Sequence, residues 1–246
     1  MDIASSLTLK PTEHHAPMIN IRETLGRTKW FDQLQATEKK EVLVQAREIH
    51  VPAGGYLIRA GEAPKGWFGV MEGLLKWSSM HADGRNVAIA GLATGSWFGE
   101  SSLVRDQPYD YFISALSDSR LVLVPEDVCK NLLDSSVYFS RAVMEQLAER
   151  VNLFAAKFTH QSFSDVDSKI ASTIASLYHE KLHPQTQLHL KMSQEELAGL
   201  CGVSRQSCNG VLRRLQQKNL IQVEYAGVTV VNLRELRAYG EAAVKL

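Results

Sequence analysis

Turn signals recur so often between about Trp30 and Pro125 that no long helix can pass through this stretch. They are Pro52-Ala-Gly-Gly55, Ala60-Gly-Glu62, Glu72-Gly73, Asp83-Gly84, Thr94-Gly95 and Gln107-Pro108. Between them lie short runs such as Trp67 to Met71, Asn86 to Ala90 and Arg120 to Val124. Strands of about five residues separated by regular turns predict an all-β roll or sandwich rather than a βαβ sheet. Asp83-Gly84 supplies the positive φ angles of a tight hairpin, which makes His81 a solvated turn residue.

The pattern changes at Val137. Met144, Leu147, Val151, Phe154 and Phe158 recur at intervals of three and four. That spacing puts them on one face of a long helix. No second long helix matches this seam, so it predicts pairing with its copy in a homodimer. Ser162 to Asp167 is rich in N-cap types and precedes a fresh amphipathic run containing Ile170, Ile174 and Leu177, which marks a hinge. Pro184 closes that next helix. His179 and His183, four apart, lack a third ligand at workable spacing and read as surface residues near a helix C-terminus.

From Met192 the sequence is MSQEELAGLCGVSRQSCNGVLRRLQQKNL. Ser193 with Glu196 three residues on is a capping box, and it opens a helix that buries Leu197 and Leu200. Gly202 stands where a tight turn needs a positive φ. Ser204 then caps a second helix with Val211, Leu212 and Leu215 on its apolar side. Two short helices about such a turn form a helix-turn-helix. The second presents Arg205, Gln206, Ser207 and Asn209 near its start, where a recognition helix reads base edges. Arg213, Arg214 and Lys218 are expected at phosphates. Leu220 to Glu224, a turn at Ala226-Gly227, and Val228 to Asn232 predict a β-hairpin wing.

Net charge is zero, 27 basic against 27 acidic residues, which argues against a generic polyanion binder. Yet Ser204 to Lys218 holds four basic residues and no acid, a local stripe suited to DNA. Three cysteines, Cys129, Cys201 and Cys208, are too few and scattered for a disulfide framework. Cys201 and Cys208 read as small buried residues packing the two helices together. No apolar run is long enough to span a membrane, and the polar start lacks a signal-peptide pattern, so a cytoplasmic protein is expected. There is no P-loop, dinucleotide fingerprint or Ser-His-Asp arrangement, and an enzyme is not expected.

From about Trp30 onward the chain resembles the CRP/FNR family of bacterial transcription regulators. The matching stretches are Pro52-Ala-Gly-Gly55 with Gly61-Glu62, Met71-Glu-Gly73, Gly95-Ser-Trp-Phe-Gly-Glu100, Leu197 to Gln206 and Leu212-Arg-Arg-Leu215. The resemblance implies an α+β chain with an N-terminal cyclic-nucleotide-binding-like β-roll, a long dimerisation helix and a C-terminal winged helix-turn-helix. The expected divisions are a flexible arm over 1–20, a sensor roll over 21–135, the dimer helix over 136–161 and the DNA-binding domain over 162–246. The expected partners are double-stranded DNA with a two-fold-symmetric operator, a second copy of the chain and RNA polymerase. The competing reading is a cyclic-nucleotide-responsive or other ligand-sensing module that acts mainly through protein contacts.

The departures from the family concern the effector. Members that bind cyclic AMP carry a cassette that begins Gly-Glu and ends Arg-Ser. Here Gly99-Glu100 is present, but Tyr109-Asp110 stands where Arg-Ser is expected. An Asp facing a phosphate repels it, and the bidentate guanidinium is missing. Arg105, in the same loop, stands four residues too early to replace it. Cyclic AMP is therefore not expected, and Glu100 is expected to accept backbone hydrogen bonds. No cysteine precedes Cys129, so an iron–sulfur cluster is not expected. His50 and His81 read as strand-edge and turn residues, so haem is not expected either. The remaining candidate is a small effector near Trp97, Gly99, Glu100, Ser101, Tyr109, Asp110 and Tyr111. In the recognition helix, Gln206 and Gly210 replace the family's acid and the Arg four residues after it, so the usual operator sequence is not carried over.

Overall fold

A computed structural model describes residues 20–80, 84, 86–163 and 165–241. The expected N-terminal arm, apart from residue 20, and the His81 turn lie outside the described residues.

Contrary to the strand reading from Trp30, the described residues open with three helices: α1 (Ile21–Gly26), α2 (Lys29–Asp32) and α3 (Ala36–Gln45). Local capping explains them. Asn20 accepts from Glu23 N while the Glu23 carboxylate accepts from Asn20 N, and Gln35 with Glu38 forms a second capping box.

The roll follows as β1 (Arg47–Val51), β2 (Tyr56–Ile58), β3 (Gly66–Glu72), β4 (Leu74–Met80), β5 (Asn86–Ala93) and β6 (Trp97–Phe98). The short helix α4 (Glu100–Arg105), then β7 (Phe112–Ala115) and β8 (Ser119–Pro125) complete it. Two antiparallel sheets form, ordered β1-β8-β3-β6 and β2-β7-β4-β5. Strands β4 and β5 pair as far as Met80 with Asn86. Phe68, Phe98, Tyr109, Tyr111, Leu75 and Leu121 fill the space between the sheets.

Helix α5 (Glu126–Ser135) leads into the long α6 (Val137–Phe163). An aromatic cluster roots α6 on the roll. Trp67 and Trp97 lie 4.9 Å apart, and Phe139 of α6 and Trp30 of α2 pack edge-on within 5.5 Å of them. Such edge-to-face packing adds roughly 0.5–1.5 kcal/mol per pair beyond area burial.

Asp165 caps α7 (Val166–Ser176) by accepting from Ser168 N. Helix α7 ends at Ser176, well before the Pro184 stop predicted for it. Then come β9 (His189–Lys191), α8 (Gln194–Cys201), α9 (Arg205–Gln217), β10 (Ile221–Glu224), β11 (Gly227–Val230) and α10 (Leu233–Glu241). Strands β10, β11 and β9 form a small antiparallel sheet. Helix α10, which the sequence reading does not anticipate, lies so close to α7 that a Cβ on Gly240 would sit 2.4 Å from Ser172 Oγ. The roll and the C-terminal domain share apolar contacts, since Leu74, Ala93 and Leu116 belong to the same core as Ile174, Leu177 and Leu200.

Candidate nucleic-acid interface and effector cradle

The helix-turn-helix is built by local chemistry. Ser193 and Glu196 close the capping box of α8, and Gly202 ends that helix at φ +64°. Ser204 Oγ accepts from Ser207 N at 3.1 Å and starts α9. Cys208, Val211, Leu212 and Leu215 are buried on one side of α9. At 100° per residue, Gln206 and Arg213 lie on the opposite side, with Arg205 and Asn209 on one flank. Arg205, Gln206, Ser207 and Arg213 are all exposed.

Some of the expected DNA contacts are already engaged. Ser204 and Ser207 hydroxyls pair with each other in the cap. The Asn209 side-chain oxygen is buried without a partner among the described residues. Arg214 is no free phosphate ligand. Its guanidinium grips both oxygens of Asp167 on α7, with Nε 2.7 Å from Oδ2. That pair holds the Asp167 carboxyl below its ordinary value. Lys218 Nζ sits 5.5 Å from the Tyr239 ring of α10. This second flank of α9 therefore binds the domain together, while Arg205, Gln206 and Arg213 face outward.

The wing register pairs Glu224 with Gly227, which puts Tyr225-Ala226 at the tip rather than Ala226-Gly227. Tyr225 is fully exposed there, and sequence reasoning missed it. The available signal was an aromatic residue inside a two-residue turn. Burial pushes the Cys201 thiol up to about 12 and Cys208 to about 11, so neither is a ready thiolate.

The α6 seam divides. Leu147 and Phe154 turn to the roll: Leu147 packs on the aromatic core, and Phe154 stands 5.6 Å from Trp77. Met144, Val151 and Phe158 are exposed instead, at 61, 65 and 74 %. With Val137, also exposed, they recur every seven residues, and the exposed Ala148 and Ala155 alternate with them. The outward stripe is therefore a heptad of Val137, Met144, Ala148, Val151, Ala155 and Phe158, offset from the one expected.

The residues expected to line an effector pocket do not converge. Trp97 points into the aromatic cluster under α6. Tyr109 and Tyr111 lie in the roll interior, 5.4 Å apart. The Tyr109 hydroxyl accepts from Lys65 N, and burial pushes that phenol up to about 12. Asp110 faces outward, 3.6 Å from Arg105, so it does not confront a phosphate. Gly99, at φ +102°, precedes α4, and Ser101 is half-buried within it. Glu100 is buried, and its partner is not backbone, as expected, but Arg150 of α6, with Nε 2.8 Å from Oε1. Arg150 also donates to the Trp97 carbonyl at 2.7 Å and lies 5.1 Å from the Trp77 ring. The chain's own guanidinium thus holds the carboxylate that a ribose would need. Arg105, the basic residue of the same loop, is engaged by Asp110 and Gln107.

The histidines also differ from expectation. His183 is buried, with Nδ1 against Ser96 Oγ in the turn before β6. The Ser96 hydroxyl gives its proton to the Ala93 carbonyl, so the ring carries its own on Nδ1. His179 is half-buried, and its Nδ1 accepts from Lys181 N and Leu182 N. No group of three metal-ligating side chains occurs among the described residues.

Comparison with known proteins agrees with this architecture. Residues 48–136 match the cyclic nucleotide-binding domain family, and residues 168–239 match the Crp-like helix-turn-helix domain family. The chain is 24% identical over 210 residues to the cAMP-activated global transcriptional regulator CRP of Haemophilus influenzae, covering 82% of this chain and 93% of that one. It is 22% identical over 218 residues to a CRP-like cAMP-activated regulator of Mycobacterium tuberculosis, covering 87% and 97%. Among solved structures, a CRP/FNR regulator from Eubacterium rectale aligns at TM-score 0.64 with 18% identity, covering 87% of this chain and 98% of that one. FixK2 from Bradyrhizobium japonicum aligns at 0.67 with 15% identity, covering 79% and 96%. With a roll, a long helix and a winged helix-turn-helix in this order, the chain belongs to the CRP/FNR family of transcription regulators.

Proposed function

We propose that the protein binds DNA as a homodimer at a two-fold-symmetric operator and does so without cyclic AMP. The observation that carries this reading is the outward face of α9, where Arg205, Gln206 and Arg213 stand exposed on a helix capped by Ser204. Arg205 and Gln206 read bases, Arg213 binds phosphate, and Tyr225 extends the contact from the wing. The exposed α6 heptad pairs two copies, with the small Ala148 and Ala155 allowing close approach. Half-sites then lie about one helical turn apart. RNA polymerase is the further partner at the promoter, and the protein works in the cytoplasm, where the DNA is.

The Glu100–Arg150 pair supports independence from cyclic AMP, because binding would have to break it. Selection of genomic fragments by the purified protein tests the reading, with Arg205→Ala and Arg214→Ala run alongside. The expected result is a palindrome whose enrichment is lost in Arg205→Ala and largely kept in Arg214→Ala. Enrichment that appears only with cyclic AMP would overturn the effector part. Unaltered enrichment in Arg205→Ala would overturn the interface.

A further inference from the structure

A cavity of about 400 Å3 lies where the roll, the long helix and the DNA-binding domain meet. Strand β5 and helices α6, α7, α8 and α10 each contribute to its wall. Much of that wall is apolar, with Leu153, Phe154 and Leu200 prominent. The volume and the apolar wall suit a small organic ligand oriented by a few polar groups.

The polar groups are uneven in sign. Lys157 is half-buried, and its ammonium donates to the Ile89 carbonyl. Burial is the main influence lowering its pKa; Cys201 opposes this, and the neighbouring Lys169 charge adds a smaller lowering effect. Lys169 is half-buried too. Neither lysine has a carboxylate within ion-pair distance among the described residues. The other cations are compensated. Lys181 pairs with Glu149, while Arg237 donates to the Tyr178 carbonyl and stands 3.9 Å from Glu180. The two acids at the cavity, Glu180 and Glu241, are exposed to solvent. Lys157, held largely out of water and repelled by the Lys169 charge with no carboxylate to offset either, is a standing cost that one anion between them would remove.

The chemistry of that anion follows from the available donors. Thr173 and Ser176 hydroxyls are already spent on backbone carbonyls. The apolar wall beyond the two lysines suits an anion with an apolar body, an organic carboxylate, better than inorganic phosphate. We propose that this cleft binds a small organic carboxylate, its head group between Lys157 and Lys169 and its apolar body against Leu153, Phe154 and Leu200. The site is separate from the Glu100 cradle. Because its wall spans both domains, the ligand biases their relative placement and hence the recognition helices. Only this regulatory consequence rests on the DNA-binding reading; the site itself does not.

The test is a fluorine NMR titration of the full-length protein with 4-(trifluoromethyl)benzoate, with octanoate, the matching benzamide and inorganic phosphate as competitors. The expected result is saturable binding that octanoate displaces and the amide and phosphate do not. Lys157→Met and Lys169→Met should each weaken it roughly 10-fold or more, the scale of a lost charge-assisted hydrogen bond. Ala156→Trp, from an exposed position on the wall, should block it by filling space while both lysines stay. Thermal melts confirm that each variant is folded; if one lysine variant is not, the other and Ala156→Trp decide. No saturable binding, equal binding to the lysine variants, or equal displacement by the amide would overturn the site. Displacement by phosphate alone would overturn the carboxylate assignment. Since the titration does not involve DNA, failure here leaves the DNA-binding reading standing.

Discussion

Breaking the Glu100–Arg150 pair from both sides at once should cost far less than the two single losses added together. The two side chains are 2 and 7 % exposed, so solvent screens their attraction little. Arg150→Met leaves a buried carboxylate whose Oε2 already lacks a partner among the described residues. Removing one member of a buried pair typically costs about 3–5 kcal/mol. The Trp97 carbonyl would keep its bond from Gln146, 2.6 Å away, so little is lost there. Glu100→Gln leaves the guanidinium with the Trp97 carbonyl and the Trp77 face as its supports, and should cost about 2–4 kcal/mol. In the double variant no charge is stranded, and the total should be about 2–4 kcal/mol, well short of the sum. Urea unfolding followed by tryptophan fluorescence and circular dichroism, at one fixed subunit concentration, measures all four proteins. Single costs that add to within about 0.5 kcal/mol would refute the argument, because independent sites behave that way.

Three further outcomes are expected. Gly210→Ala should stabilise by roughly 0.5–1 kcal/mol, the helix-propensity difference, because the added Cβ meets only Arg214 Nη1, at an ordinary contact distance of 3.5 Å; a lower melting temperature would contradict this. Burial first, then the Arg150 and His179 charges, depress His183 from 6.5 to about 3 in the fold. As pH falls through 6.5 the unfolded chain gains a proton that the fold refuses, so stability should drop at up to about 1.4 kcal/mol per pH unit. That slope between pH 6.5 and 5 should flatten in His183→Asn, and an unchanged slope would exclude His183 as its source. Val151→Glu on the exposed α6 stripe should shift sedimentation from dimer toward monomer, and a persisting dimer would show that another surface pairs the copies.

Much of the DNA-binding half was legible in the sequence because its chemistry is local. A capping box spans three residues, so Ser193 with Glu196 announces α8, and Gly202 and Ser204 announce the turn and the start of α9. The turns of the roll are equally local. What only the tertiary structure decided were pairings between distant residues. Arg214 meets Asp167 across 47 positions, Arg150 meets Glu100 across 50, and His183 meets Ser96 across 87. Each of these removes a residue from the role its type and neighbours suggest. The α6 seam shows the same limit: periodicity reveals that a helix has apolar residues around it, but not which of them its own domain will take. Trp30, Trp67, Trp97 and Phe139 take the Leu147 side, and Met144 and Val151 are left outward. Short-range hydrogen bonds can be read along the chain, whereas burial is decided by whatever the fold brings to each face.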